Sequence, residues 1–142
     1  GSRSPMQWDD STNAGFSSAP ASDLYIAMDP DKDRPTAKKE MAAPDSLYHE
    51  VKKLIRIRQS HKALQSRGKI TFVYAEKNTY PLAYIREDGD EKILVIINAA
   101  AEAKTFACDA EPKEAIYNFG AAAEAKNGKI TVPAQSAGFY RI

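Results

Sequence analysis

Apolar and polar residues change their spacing once along this chain, near Gly68. Before it, Leu47, Val51, Leu54 and Ile55 recur at helical intervals, with Ile57 extending the stripe. Lys52, Lys53, Arg56 and Arg58 cover the other face, the last two placing positive charge near the negative end of the dipole. Asp45 and Ser46, after Pro44, can accept hydrogen bonds from the first free amides, so the spacing predicts a helix over about 46–61. A short continuation takes in Ala63 and Leu64. After Gly68 the period becomes two, and strands are predicted at 69–74, 80–86, 91–98, 103–108, 114–119, 129–132 and 137–142. The run Ile93-Leu94-Val95-Ile96-Ile97 is apolar without alternation, which marks a central strand buried on both faces. Glu87-Asp88-Gly89-Asp90 reads as a tight turn, and Asn127-Gly128 as a two-residue hairpin turn. Many short strands joined by such turns predict an antiparallel sandwich or barrel. The alanine-rich stretches 99–103 and 121–125 lie too close to turn signals to be read as helices.

From Gly1 to about Pro44 neither period holds. Pro5, Gly15, Pro20, Pro30, Pro35 and Pro44 alternate with Ser, Asn and Asp, and only Leu24-Tyr25-Ile26 hints at an extended apolar contact. A structureless stretch of that length is unusual inside an independent domain and more natural as a loop lying over a larger body. The expected organisation is a loop segment over 1–45, one helix over 46–66 and a β-sandwich over 67–142.

Composition excludes some functions. Across 142 residues, 20 Lys and Arg face 19 Asp and Glu, a net charge of +1 with no concentrated basic face, which argues against nucleic acid. The longest apolar run is far too short to cross a bilayer as a helix, and no signal peptide is legible. With 43% hydrophobic residues the chain can bury a real core. The one cysteine, Cys108, allows no intrachain disulfide and is expected to be a buried, inert thiol, which is compatible with a cytoplasmic origin.

Three stretches carry a resemblance. Arg3-Ser4-Pro5-Met6-Gln7-Trp8-Asp9-Asp10, followed by Ala14-Gly15-Phe16, resembles a signature segment of the α-glucosidase branch of the α-amylase superfamily. Asp45-Ser46-Leu47-Tyr48, Lys53-Leu54-Ile55-Arg56-Ile57-Arg58, Ala63-Leu64 and Gly68 are similar to that branch's last barrel helix. Tyr80 to Asn98 resembles the strands that open its C-terminal domain. The resemblance implies a mainly β chain: an antiparallel β-sandwich of the α-amylase C-terminal type, preceded by a long loop and one α-helix from the end of a (β/α)8 barrel.

It also implies that the chemistry lies elsewhere. Retaining enzymes of this superfamily use two carboxylates about 5 Å apart, at the C-terminal ends of barrel strands. The family's Asp, Glu and Asp all stand upstream of the segments matched here, so no catalytic residue is expected in this chain. Asp9 and Asp10 are adjacent in an extended loop, with nothing to separate their pKa values, and are read as surface acids. His49 and His61 are read as surface or packing residues. In the family an arginine near the first motif faces the substrate end of the barrel, which makes Arg3 a candidate substrate-binding residue of the intact protein. Trp8 is the second candidate, because an aromatic face suits the C–H face of a pyranose. The competing role for Trp8 and Phe16 is to pin the loop to the barrel. Asp29, Asp31, Asp33 and Glu40 have EF-hand spacing, but Arg34 stands where the loop needs glycine, so neither a metal nor a cofactor is expected.

The resulting expectation is a non-catalytic, structural C-terminal part of a glycosidase acting on α-glucans or α-glucosides. Its helix face and sandwich would share one core. Its partner would be the catalytic barrel of its own parent, and the substrate would be the parent's. Apolar surface left without that barrel would invite self-association. The alternative is an accessory carbohydrate-binding sandwich, with Tyr74, Tyr80, Tyr84, Tyr117 and Tyr140 as the candidate face. A protein-interaction sandwich unrelated to sugars has only the generic fold in its favour.

Overall fold

The computed structural model of the chain describes residues 3–142. They form two compact units, Gly1–Ile55 and Arg56–Ile142, with the division falling inside a helix.

The first unit contains 3-10 turns at Thr12–Gly15 and Ala21–Asp23, helix α1 (Ala37–Ala42) and most of α2 (Leu47–Ser60). Helix α1 lies in the stretch expected to be loop. Thr36 starts it, its hydroxyl accepting from the Lys39 amide at 3.2 Å, and alanine, lysine and glutamate propagate it. Helix α2 matches its expected bounds, but its apolar face is not part of a core. None of its residues is buried: Leu47 is 73% exposed, Ile55 51% and Val51 44%. Ser46 also differs from expectation, donating its hydroxyl back to the Glu40 carbonyl at 2.5 Å.

In the second unit a 3-10 turn, Lys62–Leu64, leads into eight antiparallel strands. They are β1 (Lys69–Tyr74), β2 (Leu82–Asp88), β3 (Glu91–Asn98), β4 (Lys104–Ala107), β5 (Ala115–Phe119), β6 (Glu124–Lys126), β7 (Lys129–Val132) and β8 (Ser136–Arg141). One sheet runs β1-β2-β3-β8-β5 and the other β4-β7-β6, giving the expected sandwich. Strand β6 lies in an alanine-rich stretch that was read as neither helix nor strand. The Asn127-Gly128 turn, both residues at positive φ, folds it onto β7.

Strand β3 explains the layering. Leu94 and Ile96 point to the inner face and pack with Phe106, Ile130, Val132, Cys108 and Tyr140. Ile93 and Val95 point to the outer face, where Ala63 covers them. All four are at most 1% exposed, as a run without alternation demands. Asn98 ends β3 as a fully buried polar residue. Its amide nitrogen donates to the carbonyls of Glu102, Val132 and Pro133 at 2.9, 3.2 and 2.8 Å, and its oxygen accepts from Ala100 N at 3.1 Å. In β8, a Cβ at Gly138 would run into the ring of Tyr140. The bare glycine lets that ring lie back along the strand, where its hydroxyl donates to Asn118 Oδ1 at 2.7 Å and accepts from Ala123 N at 3.0 Å.

Candidate functional site

The first signature motif builds its own scaffold. Asn13 (φ 50°), Ala14 (φ 52°) and Gly15 (φ 71°) are consecutive left-handed residues, a conformation that disfavours any Cβ. Two features hold it. The carbonyl of the buried Ala14 accepts from the amides of Trp8 at 2.8 Å and Asp9 at 3.2 Å, and Asn13 Nδ2 donates to the Ser17 and Ala19 carbonyls. A side chain at Gly15 would come within 2.9 Å of the Asp9 carboxylate. That carboxylate accepts from the Ser11 hydroxyl and amide at 2.5 and 2.9 Å, and these bonds hold its pKa below the ordinary aspartate value. Asp10 pairs instead with Lys39 at 2.9 Å. The two acids are thus a turn-former and a surface ion pair, as their adjacency suggested.

The stretch Gln7-Trp8 is tied to the start of α1, Ala37 N donating to Gln7 O and Lys38 N to Trp8 O at 2.9 Å each. Beside it lies a groove of about 750 Å³ whose walls include Pro5, Met6, Gln7, Tyr48, Val51 and Ile55. Gln7 Oε1 is buried with no hydrogen-bond partner among the described residues, and so is Arg34 Nε. Arg3 and Trp8 are both exposed, Trp8 to 52%, and Phe16 is likewise half exposed.

The other candidates disperse. Asp29 and Asp31 each accept an amide two residues on at 2.9 Å, and Glu40 belongs to α1. Among the described residues no three His, Cys, Asp or Glu side chains converge as a metal-holding group. Nor is any described helix long and apolar enough to cross a membrane. Cys108 is buried, and burial pushes its thiol pKa up, as an inert thiol requires. The five tyrosines make no common platform. Tyr74 and Tyr140 pack on the inner core, Tyr84 packs on the outer one, Tyr117 is buried against Phe139, and Tyr80 is exposed. The most exposed aromatic of the outer face, Phe72, meets Tyr84 edge-on at 65°, a poor floor for a flat sugar ring.

His61, expected as a surface or packing residue, is partly buried. Its Nδ1 lies 2.6 Å from Glu91 Oε1, in a partly buried pair thirty residues apart along the chain. No local signal announces such a partner.

Comparison with known proteins bears on this geometry. Residues 1–67 match the family described as Alpha amylase, catalytic domain. Glucan 1,6-alpha-glucosidase of Streptococcus pneumoniae serotype 4 is 30% identical over 92% of this chain. The chain belongs to the α-amylase family. Oligo-1,6-glucosidase of Parageobacillus thermoglucosidasius is 35% identical over 73% of the chain. The crystal structure of trehalulose synthase MutB from Pseudomonas mesoacidophila MX-45 superposes on 98% of the chain with a TM-score of 0.80 and 29% identity. The chain spans a quarter or less of the length of these relatives: 23% of the streptococcal enzyme, 18% of the oligo-1,6-glucosidase and 25% of the synthase. The family assignment and the sandwich fold read from the sequence are both upheld.

Proposed function

We propose that this chain is the non-catalytic C-terminal part of a retaining α-glycoside hydrolase acting on α-glucans or α-glucosides, with the structural role of completing and supporting its catalytic barrel. The observation that carries this reading is the apolar surface of the very segment that matches the catalytic domain. An amphipathic helix with no buried residue is missing the body its apolar face was selected for. Gln7 adds to this, because buried acceptors in native proteins are nearly always satisfied, and the missing donor lies beside that same apolar groove. In the intact protein Arg3 and Trp8 are the residues we assign to substrate contact, at the end of a loop stiff enough to hold them. Purified chain is expected to release no nitrophenol from p-nitrophenyl α-glucoside above the buffer rate; measurable turnover would sink the proposal.

The same surface predicts self-association of the chain on its own. Leu47, Val51 and Ile55 leave a half-exposed apolar stripe, and such patches drive association in water. Sedimentation should therefore depend on concentration, and Val51→Glu should shift it towards monomer. A wild-type chain that stays monomeric at high concentration would contradict this.

A further inference from the structure

The turn after α2 is held to the sheet by charges of both signs. Glu91, the first residue of β3, uses both carboxylate oxygens: Oε1 accepts from His61 Nδ1 at 2.6 Å and Oε2 from the Ala63 amide at 2.9 Å. From the neighbouring strand, Arg86 donates Nε to the Ala63 carbonyl at 3.0 Å and Nη2 to the Gln65 carbonyl at 2.5 Å. A carboxylate thus takes the turn's donors while a guanidinium takes its acceptors. Between them Ala63 is fully buried against Ile93 and Val95. The last turn of α2 is attached to the same segment, Arg58 Nε donating to Leu64 O at 3.3 Å and Gln65 Nε2 to Gln59 O at 3.1 Å.

We propose that Glu91, with His61 and Arg86, forms an acid-sensitive clasp that fixes residues 61–67 to the sandwich and opens without unfolding the sheets. Those residues are the end of the stretch that matches the catalytic domain, whereas Glu91 and Arg86 belong to the sandwich. The clasp stands on its own geometry; only its meaning, a pin between catalytic domain and sandwich, rests on the function proposed above.

The charged surroundings of Glu91 are few. His61 faces it from the turn. Arg141 of β8 approaches Oε1 at 3.9 Å, but its Nε is engaged with Glu114 at 3.1 Å. On β2, Asp88 is its exposed register partner, and at the next register position Glu87 is paired with Lys92 at 3.2 Å. Burial of the carboxylate works to raise its pKa. The Ala63 amide, the His61 hydrogen bond and the charges of His61 and Arg141 together outweigh burial and hold it below the ordinary glutamate value. A depressed carboxyl stabilises the folded form above its unfolded pKa and loses that stabilisation as pH falls through the folded value. Acid therefore removes the clasp, and neutral pH keeps it.

Amide hydrogen exchange reads this directly, because local and global opening separate at single residues. In the wild-type chain at neutral pH, Ala63 N should be strongly protected. In Glu91→Gln its protection factor should fall about tenfold or more, the loss expected for a charged hydrogen bond, while Leu94 and Ile96 keep theirs. The wild type supplies a second measurement that needs no variant. As pH drops below the ordinary glutamate range, protection at Ala63 should fall before that of β3. If Ala63 loses protection only together with Leu94 and Ile96, or is equally protected in both proteins, the clasp is overturned. Hydrolysis of an α-glucoside by the chain would overturn the function proposed above and leave this result untouched.

Discussion

Replacing Asn98 with aspartate is expected to cost the sandwich about 4 kcal/mol or more, a large share of the roughly 5–15 kcal/mol that stabilises an ordinary domain. The substitution keeps size and shape, so packing is not at issue. Three carbonyl oxygens, of Glu102, Val132 and Pro133, now face the asparagine NH2 group. In the variant they would face a second oxygen. The Pro133 carbonyl keeps the Ser136 hydroxyl at 2.7 Å, so the loss falls mainly on the buried Val132 carbonyl, at about 1–3 kcal/mol, and an ionised carboxylate at a fully buried position adds its own desolvation. The charged form is disfavoured, so the introduced carboxyl should take up a proton in the folded state at a pH above its unfolded value. The sign follows: part of the lost stability should return as pH falls, because the protonated group can donate one bond. Urea denaturation at neutral pH and at about pH 4 checks both halves. A midpoint near that of the wild type at neutral pH would show that the network around Asn98 carries little.

The second large effect is expected at Gly68. A Cβ built there would overlap the carbonyl oxygen of Ala63 and lie 3.0 Å from Arg86 Nη2, the groups the clasp brings together. Backbone cannot swing aside as a flexible side chain can, so Gly68→Ala must push the 61–65 turn off the sheet. Overpacking of this kind costs about 1–3 kcal/mol, and the lost bonds from Arg86 bring the expected total to about 3 kcal/mol. The sign is diagnostic. Gly68 is not in the left-handed region. Without the clash, alanine there would stabilise the protein by about 0.4–1 kcal/mol through the unfolded chain. A neutral or stabilised variant would therefore mean that the turn does not pack as described.

Sequence made some of this architecture legible and left other parts hidden, for physical reasons. Strand β3 was readable to its ends because apolar residues on both faces leave no competing period, and a turn and an asparagine bound it. Helix α2 was readable because four apolar positions recur over its length. Strand β6 is three polar or small residues, too short to show a period. Helix α1 is six residues long and follows a run of turn formers. Side-chain pairs distant in sequence were hidden for another reason: nothing near His61 indicates that Glu91 will be beside it. The candidate residue Arg3 could be picked out only by resemblance, and Trp8 only by the chemistry of its ring, since an exposed arginine and tryptophan carry no pattern of their own. The special need for glycine at 68 and 138 depends on what lies across space, and single-sequence reading is blind to that.

The three left-handed residues at 13–15 make the first motif a mould that sets by itself. Its curvature is written into main-chain bonds and the side chains of Asp9 and Asn13, whereas the side chains it displays, at Met6, Trp8 and Phe16, are exposed. Display and scaffold are thus separable. What the loop presents can be rewritten residue by residue without recasting its form, while a change at Asn13, Ala14 or Gly15 alters the form and, with it, everything displayed.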